Sequence, residues 1–275
     1  MDFTDEQIER YARHIVLKEI GGAGQQRLLR SKVLVVGAGG LGCPLILYLA
    51  AAGVGTIGVV DDDVVALSNL QRQIAHATAR VGIAKTASAA RAVAALNPDV
   101  RVVEHPTRLV ADNALDLIAA YDLVADGSDN FATRFLVNDA CFLAQRTLVT
   151  AAIAQFDGQL ATFKAYREGE HPCYRCLFGE APAGDGDQSC ARDGILGALA
   201  GVMGTLQAVE VVKELLGIGL SLSGSLTLYD GLGGSFQRIS VRRDPACPLC
   251  GKAPRIRDLS GHRRPAQQAA RAAAT

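Results

Sequence analysis

The chain has 275 residues, 49% of them hydrophobic, with 28 basic and 28 acidic side chains. That length and apolar content exclude a disordered chain and leave room for one large α/β domain or two small ones. A formal net charge of zero gives no electrostatic case for nucleic acid or an acidic membrane as partner.

The N-terminus "MDFTDEQIERYARHIVL" is acidic and polar and lacks a signal-peptide layout, so a cytoplasmic protein is expected. Ile8, Tyr11, Ala12 and Ile15 recur at helical spacing behind a Thr4/Gln7 capping box, and the glycines of 21–24 are read as breaking that helix. A strand at 33–36, a glycine turn and a helix to 52 follow, then "TIGVVDDD", a second strand ending in acids. "KTASAARAVAAL" reads as a helix stopped by Asn97-Pro98, "VRVVEH" as a third strand, "NALDLIAAY" as a helix and "DLVADGSDN" as a fourth strand with an acidic end. "FATRFLVNDACFLAQ" is a helix and "TLVTAAI" a strand. Alternating strands and helices predict a doubly wound, Rossmann-like, mainly parallel sheet. Past Ala154, "GQLATFKAY" and "SGSLTLYDGLGGSFQRISV" read as antiparallel strands that extend it. Between them lie a polar, glycine-rich loop at 179–194 and the apolar run 194–209. That run is too short for a membrane helix of about 20 residues and is read as a buried helix. Residues 257–275 form a low-complexity tail, and no repeat is evident.

"VLVVGAGGLG" places Gly37, Gly39 and Gly42 as G-x-G-x-x-G between a strand and a helix. Asp61 stands 22 residues beyond Gly39, the distance at which an acid reaches a nucleotide ribose. The glycines let the backbone approach phosphate, and the helix N-terminus near Leu41 offers N–H donors. Neither feature chooses between NAD and ATP. The loop "DDDVVALSNLQRQ" carries Asp61, Asp63, Asn69, Gln71, Arg72 and Gln73. Arg72, Lys85 and Arg13 are three cations suited to a triphosphate, and Asp126 and Asp129 sit at the carboxyl end of the fourth strand, where such sheets bind ligands. Carboxylates beside cations suit Mg²⁺ held with phosphate oxygens.

The segments "RYARHIVL", "VGAGGLGCP", "DDDVVALSNLQRQ", "GIAKTASA", "DGSDNFATRFLVND", "HPCYRCLF", "GVMGTLQAVEVVKELLG" and "CPLC" occur in this order. Over about residues 5–252 the chain resembles the MoeB/ThiF/HesA family, bacterial relatives of the ubiquitin-activating enzymes. "HPCYRCLF" and "SNLQRQ" most resemble the MoeB branch, which adenylates a molybdopterin-synthase sulfur-carrier subunit. The resemblance implies ATP rather than NAD, and adenylation of the C-terminal glycine of a small ubiquitin-like carrier ending in Gly-Gly. It implies that Gly39, Gly40 and Gly42 form the phosphate turn, that Asp61 takes the ribose, and that Asn69, Arg72 and Lys85 contact phosphates. Asp63, Gln73 and Asn130 complete the expected ATP contacts, and Asp129 holds Mg²⁺. Arg13 resembles an arginine that reaches the partner subunit's site in a homodimer. A single domain over 1–256 is expected, with N-terminal helices at 1–30, a nucleotide-binding part at 31–154 and an antiparallel, zinc-bearing part at 155–256. With no rhodanese-like segment in the chain, the sulfur donor, a cysteine desulfurase or a rhodanese, is expected to be a separate protein. The rival readings are a ThiF-type enzyme of thiamine thiazole synthesis or of another sulfur-carrier pathway, such as one for cysteine or thiolated tRNA, an NAD(P)-binding oxidoreductase, and a silent scaffold for nucleotide and carrier.

Seven cysteines in a reducing compartment are not expected to form structural disulfides. Cys173/Cys176 and Cys247/Cys250 are CxxC pairs suited to a structural four-thiolate Zn²⁺, with 70 residues between the pairs. The alternative is two redox motifs, which neither pair supports by opening a helix. Cys43 and Cys141 read as inert core residues. Cys190, in the polar loop, lies where the resembled enzymes carry thioester- or persulfide-forming cysteines. The MoeB reaction needs no such residue, so a sulfur-step role and a dispensable cysteine both stand. His14, His76 and His171 have no nameable catalytic partner and read as structural.

Overall fold

The computed structural model describes residues 3–180 and 194–263. Helix α1 (Asp5–Ile15) starts at the expected capping box, with the Gln7 N–H donating to Thr4 Oγ1 at 3.1 Å and the Thr4 N–H to Gln7 Oε1 at 3.3 Å. The glycines after it do not end helical structure. They open α2 (Gly21–Arg30), although glycine in a helix costs about 1 kcal/mol against alanine. Burial outweighs that cost: Leu28 and Gln25 are fully inaccessible, and the Gln25 amide donates to Ala52 O at 2.9 Å.

Strands β1 (Lys32–Val36), β2 (Thr56–Val60), β3 (Arg101–His105), β4 (Leu123–Asp126) and β5 (Thr147–Ala154) pair in parallel. Strands β6 (Asp157–Phe163), β7 (Ser225–Asp230) and β8 (Ser235–Ser240) continue the same sheet antiparallel. The spatial order is β3-β2-β1-β4-β5-β6-β7-β8, which is the expected mixed sheet. The chain runs from β1 outward to β3 and then returns to the other side of β1 at β4. That reversal opens a crevice at the carboxyl ends of β1 and β4, where such folds bind ligands.

Side chains alternate across the strands, so each strand feeds two cores. Val33, Val35, Ile57 and Val59 pack on α3 (Gly42–Ala51), α4 (Lys85–Leu96) and α8 (Gly197–Leu216). Leu34, Val36, Val60 and Val124 face the layer of α5 (Ala114–Ala119), α6 (Phe131–Leu143) and α7 (Tyr174–Phe178). The predicted buried helix is thus α8, and among the described residues no helix is long and apolar enough to cross a membrane. All six residues of β8, at the free edge of the sheet, are exposed, including Phe236 and Ile239.

Of residues 257–263, assigned to the tail by composition, Leu259 and His262 make contacts with the body of the fold. Leu259 is 3% exposed within the second core, and His262 Nε2 lies 2.7 Å from Asp139 Oδ2.

Candidate nucleotide site and cysteine cluster

A cavity of about 300 Å³ occupies the crevice. Its floor is the glycine turn after β1. Gly37 has φ +92°, left-handed backbone that favours glycine, and a Cβ at Gly42 would land on the Gly37 carbonyl oxygen. Gly37 and Gly42 thus serve a turn that excludes side chains, while a Cβ at Gly39 would meet only an ordinary contact with Gln73. Among the described residues, the N–H groups of Gly39, Gly40 and Leu41 have no protein acceptor, and no side chain caps α3. A row of unspent donors at a helix N-terminus is an anion site.

Asp61, at the end of β2, grips that turn. Its Oδ2 accepts from the Ala38 N–H at 2.7 Å and its Oδ1 from the Asp63 N–H at 2.9 Å. Burial pushes its carboxyl above the ordinary range, opposed by Lys85 and by these two N–H groups. Lys85 Nζ donates to Asp63 Oδ2 at 2.7 Å. Arg72, Gln73, Lys85, Asp61, Asp63, Asp129, Gly39 and Gly40 all line the cavity. Asp61, Asp62 and Asp63 bring three carboxylates within 4.8 Å of one another.

Three of the expected contact residues stand outside the cavity lining. Asn69 Oδ1 accepts from the Ala66 N–H at 3.3 Å, and Asn130 Oδ1 caps α6 through the Thr133 N–H at 2.9 Å. Gly42 packs beneath the turn. None of the three is among the described residues lining the cavity. Arg13 lies exposed on α1, also outside it, and Cys190 falls outside the described residues. Asp126 is fully buried, accepting from the Ser128 N–H at 2.9 Å and the Thr150 hydroxyl at 3.0 Å, so its carboxylate is spent on the turn and does not face a ligand.

Sequence reasoning missed Arg108 and Arg134, two further cations in the wall. Arg134 Nε and Nη2 both donate to Ser128 O, at 3.2 and 2.7 Å. Asp126 and Arg134 therefore hold Ser128 by its N–H and its carbonyl, which fixes the backbone next to Asp129. The available signal was spacing: Arg134 stands one helical turn past the Asn130 cap and so returns toward the turn.

The four paired cysteines converge. Sγ–Sγ distances are 3.8 Å for Cys173–Cys176, 3.6 Å for Cys173–Cys247 and 3.4 Å for Cys176–Cys250, and all four sulfurs lie within 4.8 Å. Cys173 does open a helix, as the N-cap of α7, contrary to the sequence reading. It is nonetheless 1% exposed and faces three other sulfurs, which is not the setting of an accessible redox pair. Cys43 is pushed up to about 12 by burial, and burial likewise raises Cys141, so both thiols are inert.

The fold is that of MccB from E. coli: its structure with MccA-N7isoASN superposes with a TM-score of 0.77 at 21% identity, over 91% of this chain and 76% of that one. A Thermus thermophilus protein named sulfur carrier protein adenylyltransferase is 51% identical over 94% of this chain and 96% of its own length. The mouse protein named adenylyltransferase and sulfurtransferase MOCS3 is 50% identical over 94% of this chain, which spans 55% of that longer protein. The ThiF family model matches residues 11–249, nearly the whole described chain, and the chain belongs to the ThiF family.

Proposed function

We propose that this protein uses ATP to adenylate the C-terminal glycine carboxylate of a small ubiquitin-like sulfur-carrier protein. The observation that carries the reading is the cavity itself, where unspent N–H groups of the glycine turn meet Arg72, Lys85, Arg108 and Arg134. Relatives named for adenylyl transfer favour ATP over a nicotinamide cofactor as its ligand.

In the reaction, a carboxylate oxygen of the carrier attacks the α-phosphorus of ATP. The bond to the bridging oxygen breaks, pyrophosphate leaves with the electron pair, and the acyl-adenylate remains for a sulfur donor. No protein nucleophile is required, so positioning and charge neutralisation do the catalysis. The N–H groups of Gly39 and Gly40 receive phosphate oxygens, and Asp61, oriented by two backbone donors, receives the ribose hydroxyls. Lys85 exchanges its Asp63 partner for phosphate, leaving Asp63 free beside Asp61. Arg72 and Arg108 neutralise the departing pyrophosphate. The carboxylates of Asp129, Asp62 and Asp63 are hard oxygen donors suited to Mg²⁺, which would screen the triphosphate from the approaching carboxylate.

The cysteine cluster fits a structural Zn²⁺. A tetrahedron with metal–sulfur distances of about 2.3 Å has edges of about 3.8 Å, near the three separations above. Four thiolates leave no coordination position for substrate. We further assign the protein to a homodimer in which Arg13 completes the partner's site, with a separate sulfur donor and a carrier of the molybdopterin-synthase type.

The test is ATP–pyrophosphate exchange with a carrier ending in Gly-Gly. Exchange dependent on the carrier and abolished by removal of its last glycine is expected; nucleotide binding without exchange would leave a scaffold.

A further inference from the structure

We infer that His76 is a positioning residue for the phosphate site, its imidazole pinning the glycine turn, the Arg72–Gln73 segment and the start of α4 in one register. The inference rests on the ATP reading above.

His76 is 7% exposed, and both ring nitrogens are engaged: Nε2 lies 2.9 Å from Ala38 O and Nδ1 lies 2.9 Å from Ser88 Oγ. A carbonyl only accepts, so Nε2 carries the proton, and Nδ1 accepts from the Ser88 hydroxyl. Burial first, then the charges of Lys85 and Arg80, push His76 below its ordinary range, against the pull of Ala38 O and Asp61. The ring therefore stays neutral in a single tautomer.

What the ring holds is the peptide plane between Ala38 and Gly39. In a trans peptide the C=O and N–H point in opposite directions. Fixing the Ala38 carbonyl on His76 turns the Gly39 N–H the other way, and Gly39 lines the cavity with that N–H unspent. The Cys43 thiol donates to the same carbonyl at 3.4 Å, and Asp61 holds the Ala38 N–H on the other side. His76 also belongs to the Arg72–Gln73 segment, since its own N–H donates to Gln73 O at 3.0 Å. Ser88 stands one turn into α4, above Lys85, and Arg80 closes the group by donating to Ser88 O at 2.6 Å. Three segments carrying phosphate donors thus share one buried ring.

The test separates positioning from packing. His76→Phe keeps the aromatic volume and removes the donor; His76→Gln retains an N–H donor. ATP affinity is measured by equilibrium binding without carrier, and KM for ATP and for carrier in the exchange assay, with melting curves for each variant. His76→Phe is expected to weaken ATP binding about tenfold, by misdirecting the Gly39 N–H away from a phosphate oxygen, with carrier KM within about twofold of wild type. His76→Gln recovers most of that loss. Should His76→Phe fail to fold, Ser88→Ala frees the tautomer in an intact ring and is expected to weaken ATP about threefold. ATP affinity within about twofold of wild type in the folded variant overturns the inference. So does an equal loss for ATP and carrier that tracks stability. Wild-type protein that binds ATP but shows no exchange refutes the adenylation reading instead, and the binding arm still decides the role of His76.

Discussion

Lys85 places an ammonium where 7% of its side chain reaches solvent, and its carboxylate partner Asp63 is 69% exposed. The lysine is thus held in the site while its counterion is free to leave, which is the asymmetry that phosphate exchange needs. Lys85→Met should lower carrier-dependent exchange at least about 100-fold, as removal of a preorganised charge does. It should cost under about 1 kcal/mol of stability, because an exposed carboxylate is readily solvated. Exchange kinetics and urea melts on the same preparation check both halves. Asp139 behaves in the opposite way. It is fully buried and accepts from Arg175 Nε and Nη2 at 2.8 and 2.7 Å, with His262 beside it. Burial alone would raise its carboxyl; the hydrogen bonds from His262 and Arg175 outweigh burial and hold it below 3.8. A lowered folded value gives stability that is complete above the unfolded value and lost as pH falls through the folded one. Asp139→Asn should therefore flatten the loss of stability below about pH 4 and cost about 3 kcal/mol at neutral pH by stranding Arg175. Melts between these pH values decide it. At this scale Asp61, Lys85 and the glycines were legible because each belongs to a local motif with its own chemistry. Arg108 and Arg134 were not, because they reach the cavity only once the sheet order is known. Asn69 and Asn130 were legible as polar residues near the site, but their oxygens are spent on backbone N–H groups of turns that sequence spacing did not resolve.

Among the elements, α7 is only five residues long and would be marginal by itself. It is held by Cys173 at its start and Cys176 within it, facing Cys247 and Cys250 across the sheet's C-terminal extension. With metal bound, that contact closes a loop of 70 residues that includes α8 and the last two strands. Metal analysis of pure protein should return one zinc per chain. Cys250→Ser should lower that content and the melting temperature together, since binding energy at such a site is folding energy. A metal-free wild type with unchanged melting would refute the assignment. The strands and most helices were legible from periodicity, since each buries one clear face. Helix α2 was not, because its three glycines argue against a helix locally while Leu28 and Gln25 are recruited by partners distant in sequence.

For the whole molecule, Arg72, Lys85, Arg108 and Arg134 line the cavity, while Arg13 stands outside it on α1. If Arg13 serves a second copy, Arg13→Ala and Asp129→Ala should each abolish exchange alone. Heterodimers of the two should regain activity, up to about half that of wild type, since one of two composite sites is intact. Tandem-tagged heterodimers with no activity would exclude action across the interface. The sheet also has two unequal borders. Among the described residues, its β8 border offers an unpaired row of backbone donors and acceptors, with Phe236 and Ile239 exposed beside them. Arg238, the charge on that strand, is exposed but engaged, donating to Ser225 Oγ at 2.8 Å and to Ser221 O at 3.3 Å. A border of that kind carries little to repel its own copy. The consequence is colloidal: concentrated protein should scatter light progressively more as strands meet edge to edge, and Ile239→Lys should suppress that scattering while leaving the melting temperature within about 2 °C.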